Sequence, residues 1–108
     1  MKSLSIIIVS YNNLQVLIDC LDSIKKFNDI KNELEVIVIE QSENTSIYDF
    51  LIQKYPEIVT VRNTNNGFGS GNNVGAKIAT SEHLLFLNPD TILVEPIFTF
   101  ALSKFNQF

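Results

Sequence analysis

Asn88 and Asp90 flank Pro89 in the stretch FLNPDT (Phe86–Thr91), where an apolar run stops abruptly. Both side chains offer the hard oxygen donors that Mg2+ and Mn2+ favour. Pro89 has a fixed φ and no N–H, so it ends the strand ladder and stiffens the residues around it. Taken alone, the same residues read first as a turn after a strand, with Asp90 capping the next segment. A second candidate is NTNNGFGSGNN (Asn63–Asn73). Its glycines and Gly75 do not satisfy G-x-G-x-x-G in either register, because Asn72 and Val74 stand where the third glycine belongs, and no G-K-[ST] follows. A standard phosphate cradle is thereby excluded. The glycines would instead permit positive φ and close backbone approach, to a ligand or to the next helix. Phe68 reads as an anchor into the core rather than a platform for a base. Cys20 falls mid-helix and His83 opens a strand, which makes no nucleophile–base pair, and one cysteine forms no internal disulfide.

The elements that must hold these residues follow from periodicity. SIIIVS (Ser5–Ser10), EVIVIE (Glu35–Glu40), IVTVR (Ile58–Arg62) and HLLFL (His83–Leu87) read as strands. Between the first two, Leu14, Leu17, Ile18, Leu21 and Ile24 recur at helical spacing, with Asp22 placed to pair with Lys26. A second helix is expected from Ser46, with Asp49 completing a capping-box variant, and Pro56 ends it. A short third helix should follow the glycine stretch, with Val74 and Ile78 on one side. A fourth is expected from near Pro96 to the end. Strand–helix alternation of this kind predicts an α/β fold of three layers, α-β-α, with a mainly parallel sheet. The third strand, carrying Thr60 and Arg62, suits a sheet edge.

In open parallel sheets, ligands bind beyond the carboxyl ends of the strands. Those segments read SYNN, EQSEN, RNTNN with the glycines, and NPD, and they hold nine of the twelve asparagines. Asparagine favours turns generally, yet the opposite connections hold only Asn28 and Asn32. One edge of the sheet is therefore the expected polar site. The chain of 108 residues has room for one domain, and a net charge of −4 without a basic stripe excludes a nucleic-acid partner. Lys25-Lys26, the only basic doublet, suits a helix C-terminus. Apolar runs are strand-sized and the start lacks a signal peptide's pattern, so a cytoplasmic location is expected.

Together SIIIVSYNN, EVIVIEQSEN, NTNNGFGSGNNVGAK and LLFLNPDT resemble the N-terminal half of a family 2 glycosyltransferase of the GT-A, Rossmann-like fold. NPDT is similar to the D-x-D variant of rhamnosyltransferase-like bacterial members. The resemblance implies a pocket for a nucleotide-diphosphate-sugar of the UDP, dTDP or GDP type. Ser10 and Tyr11 would line it, and Glu40 would lie beside the base. Asn66, Gly67, Asn72 and Asn73 would shape its floor. Asp90, with Asn88 nearby, would hold Mn2+ or Mg2+. Two departures stand out: Glu40-Gln41 stands where the family has aspartate followed by asparagine or aspartate, and Asn88 replaces the first aspartate of D-x-D.

The implied reaction inverts the anomeric carbon, with a carboxylate deprotonating a saccharide or lipid-linked acceptor and the metal stabilising the departing diphosphate. On this resemblance the chain is a truncated donor half, inactive alone. The catalytic base and acceptor half are expected beyond residue 108, and any membrane contact would be at the inner face. The apolar last strand, and the terminal helix with Phe98, Ala101, Leu102 and Phe105 on one face and Phe100 and Phe108 off it, predict self-association or marginal stability. A receiver domain lacks its acidic residues here, and a dinucleotide oxidoreductase lacks its strand-one glycines. A nucleotide-sugar-binding module without turnover is the alternative.

Overall fold

The structure is a computed structural model that describes residues 2–105. Its four strands form one parallel sheet in the order β3-β2-β1-β4. β1 (Leu4–Ser10) is buried along its whole length, as expected for a strand covered on both faces. It pairs with all of β2 (Leu34–Glu40), from Leu4 opposite Leu34 to Ser10 opposite Glu40. Among the described residues β3 (Val59–Arg62) pairs only with β2, and it is the edge that its polar residues predict. β4 (Leu84–Phe86) pairs with β1, setting Ile7 opposite Phe86, and lies at the other edge.

The two-residue period of the strands sorts the core into two layers. Leu4, Ile6, Ile8 and Val38 face α1 (Leu14–Lys26), α2 (Ser46–Lys54) and α4 (Phe98–Phe105), with Leu17, Leu21, Leu51 and Phe98 among the buried partners. Ile7, Val9, Ile37 and Ile39 face the other way, where Val74 and Ala76 of α3 (Phe68–Ile78) pack on them. The three-layer fold is as expected, and so are Lys25 and Lys26 in the last turn of α1.

Several local expectations are corrected. α3 starts at Phe68, inside the glycine stretch rather than after it, so half of that stretch is helix. Its glycines serve the sheet: a Cβ on Gly71 would stand 2.7 Å from Val9 Cγ2, and one on Gly75 would collide with Ile7. Ser46 is the first residue of α2 and caps nothing; the Asn44 carboxamide oxygen accepts from its amide and its hydroxyl. Asp22, expected opposite Lys26, accepts the Tyr55 hydroxyl at 2.8 Å and thereby ties α1 to the residue after α2. Burial, then that bond, pushes the Tyr55 hydroxyl well above its ordinary range. α4 starts two residues after Pro96, and the part of the expected helix at Phe108 lies outside the described residues.

Candidate functional site

Each strand ends in the same direction, so the polar segments after them meet along one edge. At the end of β1, Ser10 is buried and donates its hydroxyl to Glu40 Oε1 at 3.1 Å. Tyr11 leaves the sheet and is exposed. Asn12 adopts φ 53°, left-handed for a residue with a side chain, and its amide donates to Ser42 Oγ at 2.8 Å. Asn13 caps α1 by accepting from the Val16 amide.

At the end of β2, Glu40, Gln41 and Ser42 are all buried. Glu40 Oε2 has no hydrogen-bond partner among the described residues. After β3, Arg62 reaches back to the Ser42 and Glu43 carbonyls, and Asn63 donates to Gln41 Oε1 at 2.9 Å. Gly67, at φ 90°, turns the chain into α3 in a conformation that suits glycine. After β4, Asn88-Pro89-Asp90 forms a turn that Thr91 closes by donating to the Asn88 carbonyl.

A cleft of about 550 Å³ opens between these segments. Tyr11, Asn13 and Val16 form one wall, and Asn88, Pro89 and Asp90 a second. Gln41, Asn65, Gly67 and Phe68 complete it. A side cleft of about 370 Å³ continues past Gln41 and Asn65 to Arg62 and Glu43. Of the residues marked in the sequence, Tyr11, Gly67, Asn88 and Asp90 thus meet on one surface. Ser10 and Glu40 lie beneath it, closed off from solvent. Asn72 lines a small adjoining pocket with Phe68 and Asn88. Asn66 and Asn73 are exposed and line neither cleft.

Phe68 is a correction: it is 57% exposed on the cleft wall and anchors nothing in the core. Gln41 and Asn65 escaped notice as site residues, although Gln41 was visible as a departure and Asn65 belongs to the asparagine cluster. Cys20 lies buried in α1, where burial and then the Asp90 charge push its thiol up to about 11. That leaves it without nucleophilic character at neutral pH.

The pattern of the family described as "Glycosyl transferase family 2" matches residues 5–96. The chain belongs to glycosyl transferase family 2. The chain is similar to a poly(ribitol-phosphate) beta-glucosyltransferase of Bacillus spizizenii, 34% identical over 92 residues, with 81% of this chain and 14% of that one covered. Solved structures share the GT-A fold. Staphylococcus aureus TarS superposes with a TM-score of 0.82 at 23% identity, covering 97% of this chain and 20% of its own. A shorter form of TarS has been solved with UDP. The mannosyltransferase PcManGT of Pyrobaculum calidifontis, solved with GDP-Man and Mn2+, gives a TM-score of 0.75 at 20% identity, covering 94% of this chain and 31% of its own. The chain therefore spans well under half the length of these relatives.

Proposed function

We propose that this chain forms the donor-binding part of an inverting glycosyltransferase that moves a sugar from a nucleotide-diphosphate-sugar to a saccharide or lipid-linked acceptor. The observation that carries the reading is the composition of the cleft. Tyr11 and Phe68 offer ring faces, Asn65 offers an amide, and the Asn88–Asp90 turn brings a carboxylate. A nucleotide-sugar presents a matching set: a flat base, hydroxyl-rich sugars and a charged diphosphate.

Asp90 and a diphosphate are both anionic and repel at close range, so a cation held at Asp90 would favour their sharing one cleft. The donors suit that cation, since Asp90 and Asn88 supply hard oxygens on the same wall. Among the described residues no cluster of three or more His, Cys, Asp or Glu stands ready to hold a metal. Asp90 and Asn88 alone would hold a metal weakly, and diphosphate oxygens would supplement them. A bound Mn2+ or Mg2+ supplies charge neutralisation for the diphosphate. Pro89 holds Asn88 and Asp90 in place, while Tyr11 and Phe68 shield the donor from water on two different walls.

TarS structures with UDP and UDP-GlcNAc, and PcManGT with GDP-Man and Mn2+, support a nucleotide-sugar as ligand. The Bacillus spizizenii relative, by its name a poly(ribitol-phosphate) glucosyltransferase, supports a polymer as the acceptor class. On this reading the general base and the acceptor site come from the part of the relatives' chains with no counterpart here. The enzyme works in the cytoplasm, at the inner face of the membrane. Among the described residues no helix is long and apolar enough to cross a membrane.

Isotope-labelled chain titrated with UDP, dTDP or GDP and Mg2+ tests the site by NMR. The amides of Tyr11, Gln41, Gly67 and Asp90 are expected to shift, with Lys31–Glu33 at the far edge unmoved. Shifts confined to the far edge, or none with any nucleotide, would contradict the reading.

A further inference from the structure

Glu40, Gln41 and Ser42 close the second strand with side chains that are 0%, 2% and 2% exposed. Buried polar groups of this kind are held by hydrogen bonds, and here the bonds run in two directions. Toward the first strand, Ser42 Oγ accepts the Asn12 amide at 2.8 Å and donates to Glu40 Oε1 at 2.7 Å, where the Ser10 hydroxyl also donates. That chain of bonds brackets Tyr11 and holds Asn12 in its left-handed conformation, which a non-glycine residue keeps only when its surroundings enforce it. Toward the third strand, Gln41 Oε1 accepts Asn63 Nδ2 at 2.9 Å, while Gln41 Nε2 donates to Asn65 Oδ1 and the Gly67 carbonyl, both at 3.3 Å. Both amide hydrogens of Gln41 are spent on the loop that enters α3. A Cβ on Gly71 would stand 3.0 Å from Gln41 Oε1, so the first turn of that helix rests against the same carboxamide.

We infer that Glu40-Gln41-Ser42 is a two-sided brace that sets the spacing of the cleft's walls, with Gln41 the positioning residue for the Asn65–Phe68 wall and Ser42 for the Tyr11 wall. The inference rests on the nucleotide-sugar reading for what the cleft holds, and on geometry alone for the brace. It gives the longer side chains of Glu40 and Gln41 a physical sense. The Gln41 side chain reaches across to the Gly67 carbonyl and spends its second donor hydrogen on Asn65. Alternation of side chains along an extended segment sends Gln41 one way and its two neighbours the other.

Two readouts test the brace, amide hydrogen exchange without ligand and calorimetric Kd for UDP and GDP with Mg2+. Gln41→Leu keeps the bulk and removes the bonds. It is expected to speed exchange of the Gly71 amide, which is bonded to the Gly67 carbonyl and not to Gln41, while leaving the Asn12 amide unchanged. Ser42→Ala should do the reverse. Each variant is expected to raise Kd about tenfold, the worth of one or two net hydrogen bonds. Asn63→Ala serves as the second variant for the Gln41 side, because Asn63 bonds Gln41 yet does not line the main cleft. It should raise Kd in the same direction by loosening the wall.

Unchanged Gly71 exchange in Gln41→Leu overturns the brace, whatever happens to Kd. Faster exchange with wild-type Kd in all three variants overturns the positioning role. If wild type binds neither nucleotide, faster exchange still establishes the brace while the donor reading falls.

Discussion

Gly71 and Gly75 lie on the stripe of α3 that meets β1, and a methyl group at either position has no room. On Gly71 it would stand 2.7 and 2.8 Å from the two Val9 methyls. Gly75→Ala is therefore expected to destabilise the fold by about 1–3 kcal/mol, an overpacking cost that exceeds the gain in helix propensity. Gly69 has nothing within 4 Å of a built Cβ, so Gly69→Ala should stabilise by about 0.5–1 kcal/mol. Thermal melts of the two variants check this, and equal shifts would contradict the packing argument. Cys20, with its thiol raised to about 11, is expected to resist alkylation at pH 8 until the chain unfolds. The asparagine-rich edge was legible in the sequence because turn formers and ligand-facing amides are crowded onto one end of the strands. Phe68 was not legible, since an aromatic beside glycines reads the same whether it faces the core or a cleft.

At the scale of elements, α4 is held by a residue distant in sequence. Asp29 accepts from the Phe98 and Thr99 amides, each at 3.2 Å, and so caps the helix from the loop after α1. Asp29→Ala is expected to cost about 0.5–2 kcal/mol, as loss of a cap does. Burial raises the Asp29 carboxyl, but the Thr99 and Phe98 hydrogen bonds outweigh it and hold it below its ordinary 3.8. Glu35 behaves alike: burial raises it, while the Ser5 hydroxyl, the Thr80 amide and hydroxyl, and the Lys2 charge hold it below its ordinary 4.5. A carboxyl depressed in the folded state favours folding above its ordinary value, and that contribution is lost as pH falls through the lower folded value. The melting temperature is thus expected to drop below about pH 4.5. The Asp29→Asn, Glu35→Gln pair should flatten that drop, and an unaltered acid limb would count against both contacts. Strand and helix order followed from periodicity alone, whereas this cap, the start of α3 and the Asp22–Tyr55 bond depend on tertiary neighbours that no local pattern carries.

The whole molecule joins a well-covered centre to an apolar flank. β1 and most of β2 are buried, yet Phe86, Ile92, Val94 and Phe100 are exposed on or near β4 and α4. β4 pairs only with β1, which leaves its other side unpaired among the described residues. Sedimentation of the 108-residue chain is expected to show association that grows with concentration, since apolar surface beside a free strand edge invites it. A single monomeric species across the range would contradict that expectation. The central claim is that the cleft beyond the strands binds a nucleotide-sugar with a cation at Asp90, and the most direct test is a thermal-shift panel. UDP, dTDP and GDP sugars, each with and without Mn2+, would be compared on wild type and Asp90→Ala. Ligand at ten times Kd adds about 1.4 kcal/mol of stability, a shift of about 5–10 °C for a domain of this size. Such a shift is expected for one nucleotide type, dependent on Mn2+ and abolished by Asp90→Ala. A folded wild-type chain that shifts with none of them, or an Asp90→Ala variant that shifts as much as wild type, would contradict it.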